Sequence, residues 1–162
     1  MDILKTRKVK TPDRGTPKSA GLDLYIPEDF ETVVLLSGES VLIPTGIYAK
    51  IPEGYFLKIE NKSGICSETG LMVGANVIDE DYQGEIKIHL INAGRKLVVI
   101  GNEFSGITRK IVSISKNRSI AQGILIPVSY EGVEVRHELF NVKSERGTGG
   151  FGSTDKGVRS CS

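Results

Sequence analysis

The chain has 162 residues, of which 39% are hydrophobic and 25% charged, and its formal net charge is +1. This is the composition of an ordinary globular domain, and the balanced charge excludes a protein that binds nucleic acid or membranes through net charge alone. No apolar run approaches the ~20 residues needed to cross a bilayer, and residues 1–10 lack the apolar core of a signal peptide. The two cysteines, Cys66 and Cys161, do not make a disulfide framework. We expect a cytosolic protein, or one of the host cytosol or nucleus if it is viral.

Short segments with alternating apolar and polar residues recur along the chain, separated by Gly, Pro, Asn and Asp. They predict strands over 3–9, 19–27, 31–36, 39–51, 54–60, 71–78, 85–91, 96–100, 108–115, 120–128 and 132–139. Residues 65–69 are expected to form one or two helical turns. The pattern favours an all-β sandwich or barrel, best described as a distorted jelly-roll or β-clip subunit with one short helix.

The composition changes after Phe140, where Gly, Ser, Thr and Arg dominate around a single aromatic residue, Phe151. We therefore predict a core over residues 1–142 and a mobile C-terminal arm over residues 143–162. Within the arm, the glycines of residues 146–154 would let backbone amides approach a polyanion, and Arg146 would add a bidentate contact. A tail without function is the alternative, although an exposed aromatic side chain usually covers something.

Carboxylates two residues apart occur in the segment from Asn76 to Tyr82. On an extended segment Asp79 and Asp81 would face the same way, and one of them could act as a general base if it reached a water and its target. The alternative is a pair of aspartates that stabilise a turn. Tyr82 would by default be a half-buried anchor.

Three other polar positions have both a functional and a structural interpretation. Ser63 and Gly64 follow a strand and open the short helix, so they could form an anion site or Ser63 could be a plain N-cap. Gln122 could donate to a phosphate oxygen or could satisfy backbone groups. His89 lies in mid-strand without the ligand spacing of a zinc site, and we interpret it as structural or as lining a subunit interface.

Five segments, in this order, resemble the five motifs of the homotrimeric deoxyuridine triphosphate nucleotidohydrolase (dUTPase) family. The segments are residues 20–25 (AGLDLY), 62–65 (KSGI), 77–84 (VIDEDYQG), 119–122 (SIAQ) and 146–154 (RGTGGFGST). Each motif alone is a weak signal, but five in order at sensible spacing are highly specific.

The resemblance implies a jelly-roll subunit, a homotrimer with three shared active sites, and Mg²⁺ bound through the triphosphate of dUTP. Asp79 would orient and deprotonate the water that attacks the α-phosphate, which gives dUMP and pyrophosphate. Residues 73–77 would hold uracil largely through backbone groups. The residues implied in substrate binding are Lys62, Ser63, Gly64, Asn76, Val77, Ile78, Tyr82, Gln122, Arg146, Phe151, Gly152 and Ser153.

Within that set, the resemblance gives some residues a particular role. Tyr82 would lie against the deoxyribose, Phe151 would cover uracil and Arg146 would contact the γ-phosphate. Asp23 would organise the water shell of the metal without being a direct ligand. The arm would thus close over the bound nucleotide.

The sequence departs from the family pattern at several positions. Lys62 and Ser119 stand where the family usually has Arg, with Arg118 one place earlier. Asn76 takes a hairpin position that is often Gly, and Asn tolerates the left-handed conformation better than most residues. Residues 97–109 look like an insertion in a hairpin, for which the sequence suggests no function.

Two alternatives remain. The dCTP deaminases share the fold, but their catalytic glutamate would fall at His89, which argues against deamination. A non-catalytic nucleotide-sensing or protein-binding module is the second alternative. Intact Asp79, Tyr82 and Arg146 argue against lost catalysis.

Overall fold

The computed structural model describes residues 1–135 and 137. The described residues are almost entirely β-structure with one short helix, as the sequence predicts. In chain order the elements are β1 (Asp2–Lys5), β2 (Leu22–Tyr25), β3 (Val33–Leu35), β4 (Ser40–Lys50), β5 (Tyr55–Asn61), α1 (Ser63–Thr69), β6 (Leu71–Val73), β7 (Val77–Ile78), β8 (Ile86–Asn92), β9 (Leu97–Asn102), β10 (Gly106–Ile107), β11 (Ile111–Ser115) and β12 (Ser119–Pro127).

The strands form three four-stranded sheets. The first has the order β1-β4-β8-β6, the second β10-β11-β9-β3 and the third β2-β12-β5-β7. Most neighbours are antiparallel, and β9 and β11 pair in parallel. Strands adjacent in a sheet are often far apart in sequence, so the sheets bring distant motifs together.

Strand β8 shows how the sequence pattern builds the core. Ile86, Ile88 and Leu90 are almost fully buried, whereas Lys87 is exposed and His89 is half-buried. Successive strand residues point to opposite faces, and each buried aliphatic side chain stabilises the fold by about 1.5–3 kcal/mol. One face of β8 therefore anchors the strand in the core, which leaves the other face free to support a site.

The segment predicted as one strand over residues 71–78 is two strands in different sheets. β6 pairs with β8 in the first sheet, and β7 pairs with β5 in the third. Residues 74–76 carry the chain between them. The apolar pattern runs through both strands, so periodicity alone did not reveal the change of sheet.

Residues 97–109, predicted as an insertion, include β9 and β10. β9 lies between β3 and β11 in the second sheet, and its Val98 and Ile100 are fully buried. The first part of this stretch therefore belongs to the hydrophobic core, and only the part after β9 is an exposed extension.

The chain divides into a compact unit over Met1–Tyr130 and a second unit that begins at Glu131. The described part of the predicted strand over 132–139, residues 132–135 and 137, forms no strand, so that prediction is wrong for those residues. The predicted arm over 143–162 lies outside the described residues. No helix in the described part of the chain is long and apolar enough to cross a membrane.

Candidate active site

The segment that joins β6 to β7 is held by hydrogen bonds on both sides. The Gly74 N–H donates to the His89 carbonyl at 2.9 Å, and the Ala75 N–H donates to His89 Nδ1 at 3.2 Å. On the other side, the Ile59 N–H donates to the Asn76 carbonyl at 2.8 Å. Asn76 does not use the left-handed conformation that Asn tolerates, because Asn117 is the one non-glycine residue with positive φ in the described part of the chain.

The chain turns immediately after β7. The Tyr82 N–H donates to the Asp79 carbonyl at 3.2 Å, so residues 79–82 form a turn. The prediction that Asp79 and Asp81 face the same way along an extended segment is therefore wrong in its geometry. Both carboxylates nevertheless line one cleft of about 530 Å³, together with Glu80 and Tyr130.

Glu80 fastens this turn to two distant parts of the chain. Its Oε2 accepts the Tyr130 hydroxyl at 2.7 Å and the Gly54 N–H at 2.8 Å. The hydrogen bond from Tyr130, and then the one from Gly54, lower the pKa of Glu80. The hydrogen bond between Tyr130 and Glu80 is also the largest of the causes that raise the pKa of Tyr130 to about 12. Sequence reasoning missed this cluster, since nothing local links residues 54, 80 and 130.

A second, smaller pocket of about 240 Å³ lies on the side of the 74–76 segment. Its lining includes Leu42, Ala75, Val77, Ile78, Asp79, Tyr82, Glu85, Lys87 and His89. Asp79 thus lies at the border of the pocket and of the cleft described above. The Tyr82 hydroxyl donates to the Glu85 carbonyl at 3.1 Å, which fixes the ring at the edge of the pocket.

The residues predicted to contact phosphates lie around the end of β5. The Lys62 ammonium forms an ion pair with the Asp23 carboxylate, and both side chains are largely shielded from solvent. Gln122 Nε2 donates to the Asn61 carbonyl at 2.8 Å, while Asn61 Oδ1 accepts the Val73 N–H at 2.7 Å. In the isolated chain Gln122 therefore satisfies a backbone group. Asn61, which sequence reasoning missed, connects this cluster to β6.

The structure at the start of α1 contradicts one of the two interpretations of Ser63. Lys62 is the N-cap residue and makes no side-chain capping hydrogen bond, so the interpretation of Ser63 as an N-cap is wrong. Ser63 and Gly64 are exposed. Apart from the neighbouring residues and backbone of its own helix, no atom of the described residues lies within 4 Å of the position that a Cβ on Gly64 would occupy. A ligand could therefore approach the backbone closely at Gly64.

The two departures in the fourth motif have different surroundings. Arg118 forms an ion pair with Glu68 of α1 at 3.2 Å. The Ser119 hydroxyl is buried and has no hydrogen-bond partner among the described residues. Arg118 thus links α1 to the start of β12 through this ion pair and does not replace an arginine at position 119.

The structure brings only part of the predicted site together in one chain. The cleft and the pocket at Asp79 are lined by none of the four residues predicted to hold phosphates, Lys62, Ser63, Gly64 and Gln122. Arg146, Phe151, Gly152 and Ser153 lie outside the described residues.

The donor groups also bear on the expected metal. Among the described residues no group of three or more His, Cys, Asp or Glu side chains could hold a metal ion, and the Asp23 carboxylate is paired with Lys62. This donor set fits Mg²⁺ carried by substrate phosphates and water, which is how proteins commonly use the ion.

An almost entirely β-structured chain with a carboxylate between a small pocket and a cleft, and with a separate polar cluster, is typical of a binding protein or enzyme whose site is distributed over several strands. Comparison with known proteins specifies the family. The dUTPase family model matches residues 7–155. The deoxyuridine 5'-triphosphate nucleotidohydrolase of Chlamydia pneumoniae is 38% identical over 145 residues, which are 88% of this chain and 89% of the relative. The chain therefore belongs to the dUTPase family.

Solved structures agree with this assignment. The dUTPase of Staphylococcus bacteriophage 80alpha, solved with dUpNHpp, has a TM-score of 0.74 and 27% identity over 94% of this chain and 96% of that chain. A mutant dUTPase of phage phi11 of S. aureus has a TM-score of 0.66 and 22% identity over 85% of this chain and 96% of its own, and its structure describes the coordination of a structural Mg(II) ion. The jelly-roll prediction is confirmed by this similarity of fold.

Proposed function

We propose that this protein hydrolyses dUTP to dUMP and pyrophosphate. The observation that carries the proposal is the position of Asp79, which lies exposed at the end of β7 where the small pocket and the cleft meet. A carboxylate in that position can accept the proton of a water. The water oxygen would bond to the α-phosphorus, the bond to the bridging oxygen of the β-phosphate would break, and pyrophosphate would leave.

The small pocket beside residues 74–76 is the proposed site for uracil and deoxyribose. Fixed backbone N–H and C=O groups there can match the O4 and N3–H groups of uracil. Cytosine presents the opposite donor and acceptor pattern, so it would leave buried polar groups unpaired. Tyr82, fixed by its hydrogen bond to Glu85, would lie against the deoxyribose and exclude a 2′-hydroxyl.

The phosphates would be held by Lys62, Ser63, Gly64 and Gln122, and by Arg146 of the arm. Mg²⁺ bound to the triphosphate would neutralise part of its negative charge and fix its conformation. Asp23 would act on the water shell of the ion. The role of Lys62 would then be twofold, because it would balance the charge of Asp23 and supply a cation near the phosphates.

The proposed active form is a homotrimer with shared sites. The separation within one chain supports this, since the residues for uracil and the residues for phosphate line different places. A neighbouring subunit would bring its phosphate-binding cluster to the cleft beside Asp79. The alternative activity, deamination of dCTP, is not favoured, because His89 stands at the position of the required glutamate.

A substrate panel tests the proposal. The purified protein, with Mg²⁺, is given dUTP, dCTP, dTTP and UTP in separate reactions, and pyrophosphate is quantified. We expect turnover of dUTP with a preference of about a hundredfold or more over the other three nucleotides. Cytosine would leave polar groups unpaired, Tyr82 would exclude the 2′-hydroxyl of UTP, and a tight hairpin would leave no room for the methyl group of thymine. Comparable turnover of all four, or none of dUTP, would contradict the proposal.

A further inference from the structure

The contacts of His89 suggest a role that the family resemblance does not give it. His89 lies on the face of β8 that points away from the core, opposite Leu42 of β4. Its carbonyl accepts the Gly74 N–H and its ring Nδ1 accepts the Ala75 N–H. The His89 backbone thus continues the antiparallel pairing of β6 with β8 as far as Gly74. The His89 side chain adds one more hydrogen bond, to Ala75 in the segment that joins β6 to β7.

Gly74 supports the same interpretation. A Cβ at position 74 would lie 2.3 Å from His89 Nδ1 and 2.8 Å from Cε1, which is closer than such atoms can approach. The imidazole therefore packs directly against the bare backbone of Gly74. Because an N–H points at Nδ1, this nitrogen must be unprotonated, and the ring proton of neutral His89 must be on Nε2.

We propose that His89 is a positioning residue for base recognition. It holds residues 74–76 in the conformation that the pocket needs, and it does so by accepting the Ala75 N–H at Nδ1. The inference rests on the proposed function, since residues 74–76 contact a base only if the pocket binds dUTP. It predicts that His89 acts on KM, through affinity for the nucleotide, with little effect on the chemical step at Asp79.

The proposal also predicts a dependence on the charge of His89. A protonated imidazole carries a hydrogen on Nδ1 and would face the Ala75 N–H donor with another donor, so the contact would be lost. The titratable groups that share the pocket with His89 are Asp79, Tyr82, Glu85 and Lys87. None of them is hydrogen-bonded to the His89 ring among the described residues, which leaves the Ala75 contact as the specific one.

Two substitutions separate the hydrogen bond from the volume of the side chain. His89→Asn places an amide oxygen near the position of Nδ1 and keeps an acceptor that does not titrate. His89→Leu fills similar space without an acceptor. We expect His89→Leu to raise KM for dUTP about fivefold, the typical net effect of one hydrogen bond, with kcat changed less than twofold. We expect His89→Asn to keep a KM near that of the parent protein.

Nuclear magnetic resonance tests the contact without substrate. In the parent protein the amide shift of Ala75 should follow the titration of the His89 imidazole, and in His89→Asn this pH dependence should disappear. An Ala75 amide that does not follow the imidazole would overturn the proposal, as would equal KM values for His89→Leu and the parent, or equal defects in both variants. Turnover of dUTP by the parent protein separately tests the proposed function, so the two failures are distinguishable.

Discussion

At the scale of single residues, Asp79 is the position on which the proposed chemistry depends. It is exposed, it follows a two-residue strand and it borders both cavities. We expect Asp79→Asn to lower kcat by a factor of about 10²–10⁴, the usual contribution of a general base, because an amide cannot accept the proton of the water. Binding of dUTP, measured by calorimetry in the presence of Mg²⁺, should persist because the amide preserves the shape of the side chain.

Asp81 offers a matched control for this change. It is also exposed and lines the same cleft two residues later, so Asp81→Asn removes an equal charge from the same turn. We expect its kcat to remain close to that of the parent protein. Full activity of Asp79→Asn, or equal losses in both variants, would show that Asp79 is not the base.

At the scale of structural elements, the turn over residues 79–82 is held by Glu80. Tyr130→Phe removes the hydroxyl donor and keeps the aromatic ring, so it should lower the melting temperature at neutral pH. The lowered pKa of Glu80 means that the folded state favours its carboxylate. The stabilisation of the folded state by the Glu80 carboxylate is complete above pH 4.5, the ordinary pKa of a glutamate. It is lost as the pH falls through the lower pKa that Glu80 has in the folded state.

The decrease in melting temperature caused by Tyr130→Phe should therefore become smaller at acidic pH. On the alkaline side, the raised pKa of Tyr130 means that its contribution is complete below the ordinary value of 10 and is lost as pH rises through about 12. Tyr55→Phe is the control, since the Tyr55 side chain is also partly exposed. A Tyr130→Phe effect that is independent of pH, or that equals the effect of Tyr55→Phe, would contradict a role for the hydrogen bond to Glu80.

At the scale of the whole molecule, the proposed homotrimer with shared sites predicts complementation between subunits. Asp79→Asn supplies an intact arm, and a chain that ends before Arg146 supplies an intact Asp79. Each of the two variants alone should have little activity. Co-expression of the two chains should restore activity at about one quarter of the sites if Asp79 and the arm come from different subunits and mix at random.

The arrangement of each site can be read from the result of that experiment. No recovery in mixed trimers that are shown by mass spectrometry to contain both chains would mean that Asp79 and the arm act within one subunit. Full activity of the truncated chain alone would contradict the proposed closure of the arm over the nucleotide. Size-exclusion chromatography with light scattering checks that each preparation is a trimer before activities are compared.

The sequence by itself determined the class of fold, the short helix and the order of the motifs. Alternation of apolar and polar residues predicted the strand that forms β8, since a strand turns each side chain to the face opposite its neighbours. Asp79 and Tyr82 could be singled out because their segment and four others, taken in order, resemble the motifs of the dUTPase family. These are properties of neighbouring residues, and they can be read without knowing the fold.

Only the tertiary structure decided how these pieces are joined. The change of sheet between β6 and β7, the contact of His89 with Ala75, and the bond from Tyr130 to Glu80 across 50 residues follow from the pairing and register of distant strands. A hydrogen bond forms where the packed core places a donor beside an acceptor, and many partners are compatible with the same local pattern. The residues proposed to carry the chemistry were therefore visible in the sequence, whereas the residues that hold them in place became visible only in the fold.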